Sequence, residues 1–290
     1  MTNEKRSAGT VAKANPWRAA GALASREWVR FFRQRNRVVG AIGQPLLFWA
    51  MFGAGMNRVF RVEGQNFSEY YFPGTLILIL LFTAIFTTIS IIEDRREGFL
   101  QSVLVAPMPR WAMVVGKVLG GSLIALAQGL LFLLLAFTLG IRFSPLTAGL
   151  IAVWLFLVSV GFTGLGYLIA WRMQSTQGFH AIMTLVLMPM WLLSGAFFPV
   201  PVPTSDAGVI GTVMHWIMKL NPATYAVAGL RNLLYMDVKP MVAEVSSAAK
   251  IPEMWVPSMA TCWVVVLVFA VLVCGWSTKI SARHTKGDLL

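Results

Sequence analysis

His180, His215 and His284 could ligate a metal or relay protons, Ser194-Gly195 in WLLSGAFFP could present a nucleophile, and Gly116-Lys117 could belong to a phosphate-cradling loop. Each chemistry needs partners, and the spacing does not supply them. Zinc hydrolysis asks for two histidines a helical turn apart with a glutamate between, as in HExxH, whereas these three are far apart in sequence. A serine nucleophile needs a base, and none is visible near Ser194; small residues at such a place in an apolar helix serve close packing. Gly116-Lys117 lacks both the upstream glycine and the following Ser or Thr of a nucleotide-binding loop. No metal site is therefore expected on this chain. If the protein uses ATP, another polypeptide must hydrolyse it.

The elements that would position such residues follow from composition. With 57% hydrophobic and 12% charged residues over 290 positions, the chain is too apolar for a water-soluble domain and reads as an integral membrane protein. Runs long enough to cross roughly 30 Å of hydrocarbon occur near 38–57, 73–92, 114–139, 148–171, 179–198 and 258–278. Uninterrupted stretches such as LILILLF and LLFLLLAF lack the alternation of a barrel, so the spans are helices. The expected fold is all-α, a polytopic bundle of six transmembrane helices. Cys262 and Cys274 lie on one such helix, about 18 Å apart along its axis, too far for a disulfide.

Seventeen of the 24 Lys and Arg fall in the first terminus, the loops after the second and fourth spans, and the last tail. The positive-inside rule then places both termini in the cytoplasm of a cell-membrane protein. The net charge of +12 is read as cytoplasmic loops facing anionic headgroups, and nucleic acid is not expected. Thirty-seven polar and amphipathic residues precede the first span, which is expected to act as an uncleaved anchor. All twelve acids lie outside the six runs, which disfavours a proton- or sodium-coupled carrier. Lys117, near the cytoplasmic end of its run, is expected to snorkel.

The chain divides accordingly: a cytoplasmic N-terminus, 1–37; the membrane domain, 38–278; and a cytoplasmic tail, 279–290. Within 1–37, Trp17, Ala20, Gly21, Ala24, Trp28, Phe31 and Phe32 share one face of a helix, with Arg26, Arg30, Arg33 and Arg37 opposite and Arg35 inside the apolar wedge. Such a helix is expected to lie in the membrane interface, serving as an anchor or a docking surface. Between the fifth and sixth spans, 199–257 forms an external cap. VIGTVMHWIMKL is apolar but too short to cross, and Asn221-Pro222 separates it from a second helical stretch, so short re-entrant or interfacial helices are expected, packing the outer end or gating it.

EDRREGFLQSVLVAPMPRW, Glu93 to Trp111, concentrates charge and pattern in one cytoplasmic loop. Gly98 separates the charged run from a short stripe of Phe99, Leu100, Val103 and Leu104, and Pro107 and Pro109 stop it. The combination describes a knob at the membrane surface that offers apolar side chains to a soluble partner.

The run EDRREGFLQSVLVAPMPRWAMVVGKVLGGSLIALAQGLL resembles the signature region of the ABC-2 family of ABC transporter permeases. There an E-x-x-x-G-[TF]-[LE]-x-x-L-x-x-[PA]-x-x-R-like pattern leads through a Gly-Lys into the third helix. YFPG at Tyr71 to Gly74, LSGAFFP at Leu193 to Pro199 and NPATY at Asn221 to Tyr225 extend the likeness over nearly the whole chain. The resemblance implies the permease subunit of an exporter of drugs, antibiotics, lipids or glycans, paired with a second permease and with separate nucleotide-binding subunits that hold ATP and Mg. It implies a coupling region of Glu93, Arg95, Arg96, Glu97, Gly98, Phe99, Leu100, Val103, Leu104, Pro107 and Arg110. An interfacial helix carrying Trp17, Arg26, Trp28, Arg30, Phe31 and Arg33 would also touch the ATPase. Phe197, Phe198, Pro199, Asn221, Pro222 and Tyr225 become candidates for an outer gate. Two other classes remain open: an ion-coupled secondary transporter or channel, and a non-transporting membrane anchor.

Overall fold

Helix α1, Pro16–Arg33, starts where Asn15 accepts a hydrogen bond from the Trp17 amide at 3.0 Å and Pro16 fixes the first turn. The computed structural model describes residues 15–56, 61–62, 65–202, 208–236 and 255–282. α2, Arg35–Met56, follows after one residue and carries Pro45 inside it. Its apolar section is Pro45–Met56, shorter than the roughly 20 residues of a perpendicular span. Strands β1, Arg61–Val62, and β2, Gln65–Asn66, pair antiparallel with Arg61 opposite Asn66. The hydropathy pattern gives no sign of this ladder, because strands of two residues are too short to show alternation.

α3, Phe67–Thr87, runs into α4, Ile89–Arg96, and the two form one apolar passage of 30 residues. At their junction Thr87 and Thr88 donate to Ala84 O at 2.7 Å and Ile85 O at 2.6 Å, the back-bonding that bends helices. α5, Phe99–Val105, is the short helix after Gly98, and α6, Arg110–Leu133, continues as a tighter turn to Leu139. α7, Pro145–Arg172, is capped by Ser144, and α8, Thr176–Trp191, by Ser175. A widened, non-helical turn, Leu192–Ala196, ends α8. The short helices α9, Gly208–Leu220, and α10, Pro222–Leu234, precede the last long helix, α11, Met259–Ala282.

Among the described residues, five passages are long and apolar enough to cross a membrane: Phe67–Arg96, Arg110–Leu139, Pro145–Arg172, Thr176–Ala196 and Met259–Ala282. They enclose five of the six expected runs nearly to their ends, and the remaining run, 38–57, coincides with α2. α3 is the axis of the bundle, buried along almost its whole length among α2, α6, α7 and α10. Such all-round burial suits its uniformly apolar composition. Polar links cross this interior, among them the Thr83 hydroxyl donating to the Gln128 side-chain oxygen and Trp191 Nε1 donating to Gly74 O at 2.8 Å.

The helix continuing past Ile92 corrects two expectations. Glu93 and Asp94 belong to the first of these passages, and Asp94 is fully buried. Lys117 does not snorkel; it too is buried and finds its partners inside the protein.

Candidate functional site

At the α4 end of the α3–α4 passage, three helices meet around Asp94. Arg26 of α1 reaches its two carboxylate oxygens at 2.8 and 3.1 Å, and Arg30 adds a bond of 2.8 Å. Lys117 of α6 pairs with the same carboxylate, with Glu27 of α1 at 2.5 Å and with the Ser90 hydroxyl at 3.2 Å. Arg30 also holds Glu93 at 2.8 Å. Burial works against the charge on Arg26, but bonding and attraction from Asp94, with Glu27 and Glu97, raise its pKa above the ordinary arginine value. Three cations thus meet three carboxylates, the arrangement that makes buried charge tolerable.

This geometry depends on two glycines. A β-carbon on Gly116 would stand 2.7 Å from Ala20 O, and one on Gly120 2.9 Å from Glu27 Cβ. Only because both are glycine does α1 lie close enough on α6 for Glu27 to reach Lys117. The buried line of α1 is Ala20, Leu23, Glu27 and Phe31, while Trp17, Trp28 and Phe32 remain exposed. The apolar wedge read from the sequence is therefore split: Ala20 and Phe31 pack inward, and the aromatics Trp17, Trp28 and Phe32 stay exposed. Arg26 and Arg30 turn to acids of the same chain, whereas Arg33 is exposed in a groove with Val29, Ser25 and Glu97. The side chains of Arg35 and Arg37 lie outside the described residues.

The short helix of the expected coupling region stands on this base. Gly98 takes a φ of 76°, the left-handed conformation that breaks α4 from α5. Arg26 lies 3.8 Å above the Phe99 ring. Leu100 is buried and Val103 and Leu104 are half-buried against the protein's own core. The expected stripe thus faces largely inward. The outward surface of α5 is Gln101, Ser102 and Val105, the last 83% exposed, with Pro107 and Pro109 beyond it.

Two arginines fasten the ends of this region. Arg95 donates to Trp171 O at 2.8 Å and Met173 O at 2.9 Å, at the C-terminus of α7, and Arg110 to Ser281 O at 2.7 Å, near that of α11. Both place positive charge where helix dipoles and unpaired carbonyls favour it. Arg96 and Glu97 are exposed.

The opposite end of α3 is built differently. Where α8 breaks, Asn221 donates to Met190 O at 2.5 Å and Leu193 O at 3.1 Å while capping α10 through the Ala223 amide. Arg231 reaches Gly195 O at 3.2 Å and Tyr70 O at 3.3 Å, and the Tyr70 hydroxyl also donates to Gly195 O. Pro222 opens α10, and the Tyr225 hydroxyl bonds Lys219 O at 2.8 Å. Phe197 sits half-buried against Phe52, Phe67, Tyr71 and Phe198, whereas Phe198 is largely exposed and Pro199 half-buried. The structure therefore gathers Phe197 and Asn221 at one broken helix end and leaves Phe198 at the surface. α10 packs inward on α3, α7 and α11. α9 keeps an exposed stripe of Val209, Ile210, Val213, Trp216, Ile217 and Leu220. Residues 203–207 and 237–254 of the expected cap lie outside the described residues.

The residues first weighed for catalysis have structural partners. Ser194 donates to Trp191 O at 2.5 Å, and His215 Nδ1 bonds Pro201 O at 2.7 Å. His180 lies against Phe86, and His284 is outside the described residues. Among the described residues no group of His, Cys, Asp and Glu could hold a metal ion.

Helices of this length and apolarity, packed round a buried central one, define a multi-pass membrane protein. Residues 18–235 match the ABC-2 type transporter family, and the chain belongs to that family. It is a transmembrane permease of an ABC transporter. It is similar to a transport permease, ycf38, of Cyanophora paradoxa, with 26% identity over 216 residues, 73% of this chain and 72% of the other. The inner membrane transport permease YadH of Escherichia coli K12 shares 24% over 234 residues, 78% and 87% of the two chains. The daunorubicin resistance ABC transporter permease protein DrrB1 of Streptomyces coeruleorubidus shares 23% over 205 residues, 69% of each.

Glu27, Asp94, Lys117 and Arg231 were not singled out as site residues from the sequence. A signal was present for two: a lysine inside a membrane run and an aspartate directly after another are costly unless they pair.

Proposed function

We propose that the chain is the six-span permease subunit of an ABC exporter, with both termini in the cytoplasm, working with a second permease and a separate ATPase that binds ATP and Mg. In this reading α2 is the first span, tilted or extended by its polar N-terminal turns, and α9 and α10 cap the outer side. The single observation that supports it best is the inner-end assembly: a short helix stopped by prolines, presenting Gln101, Ser102 and Val105 outward and seated on a cluster of ion pairs. A partner that pushes on α5 pushes on α1, α4 and α6 through that base.

The cargo is taken to be an amphipathic drug or antibiotic, a lipid or a glycan-type molecule, moved out of the cytoplasm. Aromatic residues dominate the outer end around Phe197, and a lining of this kind suits an amphipathic body. DrrB1, named for daunorubicin resistance, agrees with an amphipathic drug.

Val105→Glu places charge on the most exposed apolar residue of α5 without touching its buried side. It is expected to leave insertion intact and to abolish both co-purification of the ATPase and ATP-dependent transport in inverted vesicles. Unchanged binding and transport would reject the reading. The buried Asp94 is the feature an ion-coupled carrier would need, so the same vesicles tested with an ionophore and no ATP decide that second reading.

A further inference from the structure

We propose that the groove along the C-terminal half of α1 binds the headgroup phosphate of an anionic phospholipid, with Arg33 as its ligand and Trp28 and Phe32 beside the lipid tails. The inference rests on the chain's being a multi-pass membrane protein, and on neither the ATPase nor the cargo.

Arg33 differs from its neighbours on α1. Arg26 and Arg30 give their terminal nitrogens to Asp94 and Glu93. Arg33, about one turn further on, is exposed, and among the described residues its guanidinium has no hydrogen bond or ion pair. It lines a groove of about 650 Å³ together with Ser25, Val29, Gln34 and Glu97. A guanidinium whose fork of donors is free, beside the side-chain amide of Gln34, suits an oxyanion that accepts several bonds at once, as phosphate does. The terminus of α1 itself would repel an anion, because its last carbonyls carry partial negative charge. The anion must therefore be held by side chains, which is what the groove provides.

The surface next to the groove separates a lipid from a soluble phosphate. Side chains four apart form rows along a helix, and the row of Trp28 and Phe32 lies beside that of Ser25, Val29 and Arg33. The two rings stand 4.9 Å apart between centroids, and both they and Val29 are exposed. A soluble anion gains nothing from exposed rings. A free arginine flanked by aromatic and aliphatic side chains is the pairing by which a helix at a membrane surface holds anionic lipid. Its position agrees, since α1 packs on Gly116 and Gly120 near the start of the passage Arg110–Leu139 and leads after one residue into α2. Of the charges lining the groove, Glu97 alone opposes an anion. Its carboxylate is largely exposed and reaches Arg30 at 3.6 Å, so it weakens the site without closing it.

The test uses the full permease in detergent micelles, titrated in native mass spectrometry with phosphatidylglycerol or with phosphatidylcholine of the same acyl chains. The parent should retain one phosphatidylglycerol about tenfold more tightly than phosphatidylcholine, the worth of one charge-assisted contact. Arg33→Gln should abolish that preference, and Arg33→Lys should keep part of it. Arg33 has no partner to lose, so the melting temperature should stay that of the parent. Glu97→Gln should tighten phosphatidylglycerol binding, and Trp28→Ala with Phe32→Ala should weaken the binding of both lipids. Arg18→Gln removes the same charge from an exposed position elsewhere on α1 and should leave the preference intact. An undiminished preference in Arg33→Gln overturns the site, and so does an equal loss in Arg18→Gln, which would mean diffuse surface charge. Displacement of phosphatidylglycerol by millimolar inorganic phosphate overturns the lipid as occupant. Release of the bound lipid on adding the ATPase does the same, because the groove would then be a protein contact.

Discussion

The two ends of α3 solve one problem, holding non-aligned helices together at the edge of a membrane, with opposite chemistry. At the Asp94 end, side-chain charges meet: Asp94 with Arg26, Arg30 and Lys117. At the Tyr70 end, backbone carbonyls released by the break after α8 are taken up by Asn221, Arg231 and Tyr70. Tyr70 and Asp94 are separated by roughly 36 Å of helix, so each end is an independent device. Charges impose a large penalty when one member is lost, because the three cations gathered around Asp94 would be left with fewer carboxylates than they need in a buried place. Carbonyls with several donors lose only one bond at a time. The Asp94 end should thus be brittle, and the Tyr70 end graded.

Asp94→Leu should break that comparison most severely. It leaves Lys117, Arg26 and Arg30 around a carboxylate that is gone, a loss of about 3–5 kcal/mol, seen as a large fall in detergent melting temperature or as failure to insert. Pairing it with Lys117→Leu should recover part of the loss, with a coupling of about 1–3 kcal/mol in a double-mutant cycle. Strict additivity would mean that the two residues do not interact.

At the Tyr70 end, Asn221→Ala removes the cap of α10 and two donor contacts to the α8 break. The expected cost is about 2 kcal/mol, smaller than that of Asp94→Leu, because Thr224 and Arg231 still reach the broken turn. Melting curves of the two variants side by side test the ranking. An Asn221→Ala loss as large as that of Asp94→Leu would erase the distinction between brittle and graded ends.

Much of this architecture was legible in the sequence, and the failures share a cause. Apolar runs locate spans because lipid leaves a helix little choice, and Gly98 with Pro107 brackets α5 because both act on their own backbone. The stripe of Phe99, Leu100, Val103 and Leu104 revealed a face but not where it points: periodicity is a property of one helix, and the direction of Leu100 is set by what packs beside it. The same holds for Lys117. Its pairing with Asp94 spans 23 residues and with Glu27 90 residues, and both depend on the close approach at Gly116 and Gly120. α1 shows the mixture within one element, since its amphipathic layout predicted a helix with an aromatic side but gave no hint that Glu27 would be buried. The break after α8 hid in LLSGA because an apolar string reads as helix until a distant Asn221 accounts for its carbonyls.

The smallest effect sharpens the contrast within the Asp94 end itself. Arg30 reaches Glu97 at 3.6 Å as well as Asp94 at 2.8 Å, but the Glu97 side chain is 61% exposed and that of Asp94 is fully buried. An exposed pair gains little over hydration and is weakened by salt. Glu97→Gln should therefore change stability by less than about 0.5 kcal/mol, with its small effect vanishing in high salt, while the Asp94 variant stays impaired at every salt concentration. Melting temperatures of both variants at low and high sodium chloride make the measurement. If Glu97→Gln proved as damaging as Asp94→Leu, the force holding this end together would be summed charge in the loop, not the dry pairing around one carboxylate.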